Sequence, residues 1–271
     1  MASGSSHLDL HAVVPVLLSV LMLCISLAAE PVGEPADVRV SLSSGASMNW
    51  TTMALEARSS KHGSGVAGRQ QSSEQMARSA LGPSLQTGIV EVMVSEGVHI
   101  ADLQQDDALG GRLRNRVKLW AVSEARYYAS GNVELLGELS VREYLKPWTL
   151  TVATRRPEMP VISEYTGVLL DARGLGVSPA FSPRILDEQG GVLYDGTLWT
   201  DAALDAVPVV YVGDLAHRAA ARAGEHPMVF KVSRASGCDL VLDAADAEVY
   251  RRHLSGSVVV GEGRLVVVID Q

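Results

Sequence analysis

Cysteine is nearly absent: Cys24 and Cys238 are the two in 271 residues. Cys24 lies in an apolar leader, so the rest of the chain carries one thiol and can close no intramolecular disulfide. Metal-ligand spacing is also missing. His99, His217, His226 and His253 form no H-x-x-x-H or C-x-x-C group able to converge on zinc, so no metal is expected. There is no G-x-S-x-G elbow, and Cys238 has no histidine near it in sequence. No catalytic residue is therefore nominated, and the expectation is a non-enzyme. Basic charge is in deficit too. The net charge is −8, and Arg155-Arg156 and Arg251-Arg252 are isolated pairs, which leaves no electrostatic footprint for nucleic acid.

The composition itself is ordinary, with 47% apolar and 20% charged residues, which is that of a folded chain. At 271 residues two compact units after a leader are expected. Residues 12–29 read AVVPVLLSVLMLCISLAA and end in small residues before Glu30-Pro31. This pattern predicts a secretory signal cleaved after Ala28 or Ala29, or the same segment retained as an anchor, which would be the sole membrane contact. The residues ahead of it include Asp9 and no Lys or Arg, unlike the usual basic start. Leu23 precedes Cys24 where lipid attachment needs a small residue.

The first unit, 36–145, reads as α+β. Strands are expected over 37–42 and 49–55, a Gly/Ser-rich turn over 59–68, and a helix over 70–81 with Met76 and Ala80 on one face. Gly82-Pro83 should interrupt that helix before a second one carrying Leu85, Ile89 and Val92. A short strand at 98–100 follows. Leu109, Leu113 and Val117 mark another helix from about residue 105, and 122–128 with 133–141 form a hairpin turned at Ser130-Gly131-Asn132. Pro147, Pro157 and Pro160 mark 146–163 as a linker.

The second unit, 164–271, reads as mixed α/β. Val168-Leu169-Leu170 is a buried-strand run that ends at Asp171 and enters a loop set by Gly174, Gly176, Pro179 and Pro183. Gly174-Leu175-Gly176 falls short of a dinucleotide loop, because Pro179 stands where the third glycine of G-x-G-x-x-G belongs; no cofactor is expected. Asp171 and Arg173 could be an acid and an anion clamp, or an ordinary ion pair. Asp171, Arg173, Gly174, Gly176, Pro179 and Pro183 together form the candidate structural or binding loop. Beyond it come a hairpin at 184–186 and 192–194, a strand at 207–212, an Ala-rich helix at 215–223, strands at 228–232 and 239–242, a helix at 244–254, and an apolar terminal strand at 264–269.

The first unit resembles the flagellum-associated outer-membrane lipoprotein family typified by FlgP, and the related amino-terminal region of FlgT. The resemblance rests on Asn49-Trp50-Thr51, the Gly-containing turn, the helix segment Ala77-Arg78-Ser79-Ala80-Leu81 and the Gly131-Asn132-Val133-Glu134 hairpin. The order YTGVLLDARGLG, SPRILDEQGGVLY, VYVGDLAHRAAARAG, DAADAEVY and VVVID is similar to the carboxy-terminal portion of exported members of the same family. The resemblance implies a periplasmic or outer-membrane-periphery location and an assembly role with envelope or flagellar proteins, self-association included. The alternative expectation is a periplasmic small-ligand or peptidoglycan-binding module.

Overall fold

The computed structural model describes residues 35–62, 68–152, 162–199 and 207–270, so the expected leader lies outside the described residues. In chain order come β1 (Arg39–Ser41), β2 (Ser47–Asn49), β3 (Ala54–His62), α1 (Gly68–Val90), β4 (Met93–Ser95), β5 (Val98–His99), α2 (Ile100–Leu103), α3 (Asp107–Arg116), β6 (Ala121–Tyr127), β7 (Asn132–Ser140) and α4 (Val141–Val152). They are followed by β8 (Gly167–Asp171), β9 (Ile185–Leu186), β10 (Val192–Tyr194), β11 (Val209–Val212), a 3₁₀ turn at Arg218–Ala223, β12 (Pro227–Lys231), β13 (Arg234–Ser236), β14 (Asp239–Val241), α5 (Ala244–His253), α6 (Val258–Gly261) and β15 (Leu265–Val268). The chain is α+β, as expected.

In β7 the apolar residues Val133, Leu135 and Leu139 alternate with Glu134 and Glu138, so one face of the strand is dry and the other charged. This strand lies inside the antiparallel sheet β1-β2-β3-β7-β6, and α1 covers its dry face. The covering stripe of α1 is Ala77, Leu81, Leu85 and Ile89, four residues apart and fully buried. Met76, expected to share a face with Ala80, lies off that stripe and is exposed. Gly137 opens room for the helix, since a Cβ there would stand 3.1 Å from Leu81 Cδ1.

Gly82-Pro83 does not interrupt the helix: α1 runs straight through it. Pro83 is exposed, while Leu81 and Leu85 on either side are buried. A proline inside a helix costs about 3 kcal/mol, and each buried leucine returns roughly 1.5–3 kcal/mol, so packing outweighs the local preference.

The expected strand over 49–55 is likewise broken. Asn49 Oδ1 accepts from the backbone N–H groups of Thr51 and Thr52, both at 3.1 Å, and turns the chain before β3. Met53 completes the turn at φ 56. β3 then continues to His62, into the stretch expected as a turn, because every residue of it pairs with β7.

The sheet β11-β15-β8-β12 is wholly parallel. β15 and the run Val168-Leu169-Leu170 of β8, at the centre of the sheet, are apolar and buried on both faces, and so is β11 at its edge. On one face Leu169, Val210, Val212, Val266 and Val268 pack against Ala223 and its neighbours in the 3₁₀ turn. On the other, Val168, Leu170, Tyr211 and Val267 join the main core. The turn replaces the α-helix expected at 215–223. The turn is six residues long, and Arg222 anchors it by donating to the carbonyls of Val207 and Gly263.

β9, β10, β13 and β14 form a third, mixed sheet. The main core runs from Val38 to Ile269 without a break, and Glu34–Gln271 is one compact unit. The start of the stretch expected as linker is the end of α4. Its Trp148 packs edge-on against Phe181 and Trp199, with centroids 6.2 and 6.0 Å away.

Candidate functional site

The nominated loop begins at the carboxyl end of β8, and it separates into two parts. The first part gathers charge. Asp171 accepts a two-pronged ion pair from Arg173, with Nε to Oδ1 at 2.8 Å and a terminal nitrogen to Oδ2 at 2.6 Å. The Arg173 guanidinium holds the Asp171 carboxyl below its ordinary value, against a smaller opposing effect of burial. The Gly174 N–H donates to Asp270 Oδ2 at 2.7 Å. Gly174 and Gly176 have φ of 79° and 63°, and a Cβ on either would meet nothing within 4 Å. Glycine is needed there for backbone freedom, not for space.

The second part is a strap. Tyr211 Oη, at the centre of β11, accepts from the Ala180 N–H and donates to the Ala180 carbonyl. The N–H groups of Phe181 and Ser182 donate to the carbonyls of Met93 and Val94 in β4. Pro179 is half-buried and Pro183 buried. These two prolines shape a structural crossing and do not join the charged part.

Parallel strands characteristically present ligands with the ends of their carboxyl edge. At that edge lies a concavity of about 390 Å³, lined by Pro35, Ala36, Arg173, Gly213, Asp214, Ile269 and Asp270. Arg173 there faces Asp171 first, and Asp214 and Asp270 further off, which together raise its affinity for its proton. One guanidinium among three carboxylates, already committed to one of them, is a poor clamp for an anion. Among the described residues no group of three His, Cys, Asp or Glu side chains is placed to hold a metal ion.

A second polar cluster, which sequence reading did not bring together, sits beside this edge. Asp37 bridges to Val212 and accepts from Asn49 Nδ2 at 2.8 Å. The ring of buried His217 lies with Nε2 3.1 Å from Asp37 Oδ1. Its Nδ1 accepts the Ala219 N–H, so Nε2 carries the hydrogen and donates to Asp37. Burial pushes the Asp37 carboxyl up, but Asn49, Arg39 and His217 outweigh this and hold it below its ordinary value. Thr51 Oγ1 donates to the Tyr211 carbonyl at 2.7 Å and accepts the Val38 N–H at 2.9 Å. Both histidine nitrogens and the threonine hydroxyl are committed, so the cluster contains no base poised on a nucleophile. It fastens the first strand to the parallel sheet. Asp37 and His217 are 180 residues apart, and no local pattern announces their meeting.

Cys238 is buried beside β14 and unpaired. Burial, with Asp239 and Glu96 nearby, pushes its thiol up to about 12, which leaves it unreactive at neutral pH.

No curated protein matches the chain. Residues 167–271, from the first residue of β8 onward, match the family described as Treponema pallidum Tp0624, second domain, and in this portion the chain is similar to that domain.

Proposed function

We propose that this protein is a non-enzymatic, exported cell-envelope component that acts in protein–protein assembly, with the periphery of the flagellar basal body as the most specific setting. The observation that carries this reading is the outer edge of the five-stranded sheet. β6 is seven residues long, is mostly exposed, and pairs only with β7 among the described strands. Such an edge offers unpaired N–H and C=O groups to another chain. The apolar leader read in the sequence and the resemblance to envelope lipoproteins support an exported setting. Among the described residues no helix is long and apolar enough to cross a membrane.

The test is the absolute mass of residues 34–271 by light scattering behind a sizing column, across a concentration series. The expected result is a discrete multimer or growth with concentration. A strict monomer throughout would count against self-assembly.

The concavity at the carboxyl edge favours a second reading, a small-ligand or peptidoglycan-binding module, and Asp171→Ala and Arg173→Ala separate the two. Both side chains are partly exposed, and such pairs contribute at most about 1 kcal/mol. Each variant is therefore expected to unfold within about 1 kcal/mol of the parent in urea. Calorimetric binding of muropeptides by the parent, lost in a folded Arg173→Ala variant, would move the assignment to the second reading.

A further inference from the structure

Ala125 and Tyr127 are the residues of β6 whose backbone groups are free to pair. The Tyr128 N–H donates to the Asn132 carbonyl at 3.0 Å, which closes the β6–β7 hairpin. Antiparallel ladders alternate hydrogen-bonded with non-hydrogen-bonded pairs. Counting back from Tyr128, the pairs Arg126 with Glu134 and Glu124 with Leu136 turn their backbone groups toward β7. Ala125 and Tyr127 turn theirs outward. An incoming antiparallel strand must set outward residues against outward residues.

A bulge at Ser123, between Val122 and Glu124, ends the regular edge on one side, so Glu124 to Tyr127 is the part open to pairing. If the incoming strand is a second β6, four twofold registers keep the backbone parity, and the one with its axis at Tyr127 runs each copy into the other's hairpin turn after Tyr128, leaving three. One places Glu124 against Glu124, and another Arg126 against Arg126. The third has its axis at Ala125 and places Glu124 of each copy against Arg126 of the other. These are non-hydrogen-bonded pairs, where facing side chains come closest and opposite charges gain most. Ala125 meets Ala125 on the axis with no bulk to obstruct it. In the single chain the same two charged side chains already pair, at 2.6 Å, and both are partly exposed.

We propose that β6 pairs antiparallel with β6 of a second copy in this Ala125-centred register, joining two five-stranded sheets into one. The proposal rests on the assembly reading and names its partner as the chain itself.

Charge reversal tests it by sedimentation equilibrium of residues 34–271, the compact unit with its own continuous core. Glu124→Arg sets Arg against Arg at both flanking positions, and Arg126→Glu sets Glu against Glu. Each is expected to weaken dimerisation by about tenfold or more. The double variant Glu124→Arg/Arg126→Glu restores opposite charges and should recover the parent's association to within about threefold. Both side chains are partly exposed, so far-UV circular dichroism should be unchanged. Amide exchange adds a direct readout, since the Ala125 amide should slow as the protein is concentrated. A multimer indifferent to the single reversals, or a double variant no better than either, overturns this register and leaves the assembly reading standing. A chain that stays monomeric at every concentration overturns both.

Discussion

Trp199→Ala is expected to lower the unfolding free energy by about 3–5 kcal/mol and to shift one unfolding transition, not one of two. Trp199 is 1% exposed, its Nε1 donates to Tyr194 Oη at 2.7 Å, and its ring stands edge-on to Trp148 and Phe181. Truncation removes the largest fully buried side chain of the cluster and deprives the buried Tyr194 hydroxyl of its partner. Trp148 belongs to α4, and Phe181 to the strap that pairs with β4. The void would therefore open where the early and late parts of the chain share their core. Urea unfolding followed by far-UV circular dichroism and by tryptophan fluorescence gives the test. Coincident curves, displaced together in the variant, are expected. A loss below about 1 kcal/mol, or separated curves, would show that the aromatic cluster does not couple the two parts.

Where one local signal dominated, the fold was legible in the sequence. Val168-Leu169-Leu170 reads as a doubly buried strand because the run is apolar and ends at a charge. The β6–β7 hairpin reads from Gly131, which adopts φ 82. Local signals failed where distant packing outweighed them. Gly82-Pro83 carries the strongest helix-breaking pair in its segment, yet the leucines flanking it are held against β3 and β7. The alanines at 219–221 favour an α-helix, but Arg222 and the neighbouring strands hold the segment in a 3₁₀ turn.

The nominated loop followed the same division. Asp171, Arg173 and Gly174 were recognisable from the strand end and the glycine spacing. Asp214 and Asp270, which complete the charged edge, lie at the ends of two other parallel strands, and only strand order brings them together. Pro179 and Pro183 looked like part of the same loop because proline marks a turn without telling which neighbour the turn serves.

Gly167→Ala should cost about 3 kcal/mol or more, although it adds a single methyl group. Gly167 opens β8 opposite Pro227 of β12. A Cβ there would lie 2.3 Å from the Ala223 carbonyl oxygen and 2.5 Å from the Ala223 Cα. These are backbone atoms, and the 3₁₀ turn that carries them cannot move freely. Thr166 Oγ1 donates to that same carbonyl, and Arg222 ties the turn to Val207 and Gly263. Relief would require lifting the turn from Leu169, Val210, Val212, Val266 and Val268, which exposes one face of the parallel sheet. Gly174→Ala is the control, because its Cβ would enter open space and its cost is that of a positive φ, about 1–2 kcal/mol. Urea midpoints of the two variants against the parent decide the matter. Gly167→Ala should fall well below Gly174→Ala, and equal midpoints would mean that Ala223 does not press on the start of β8.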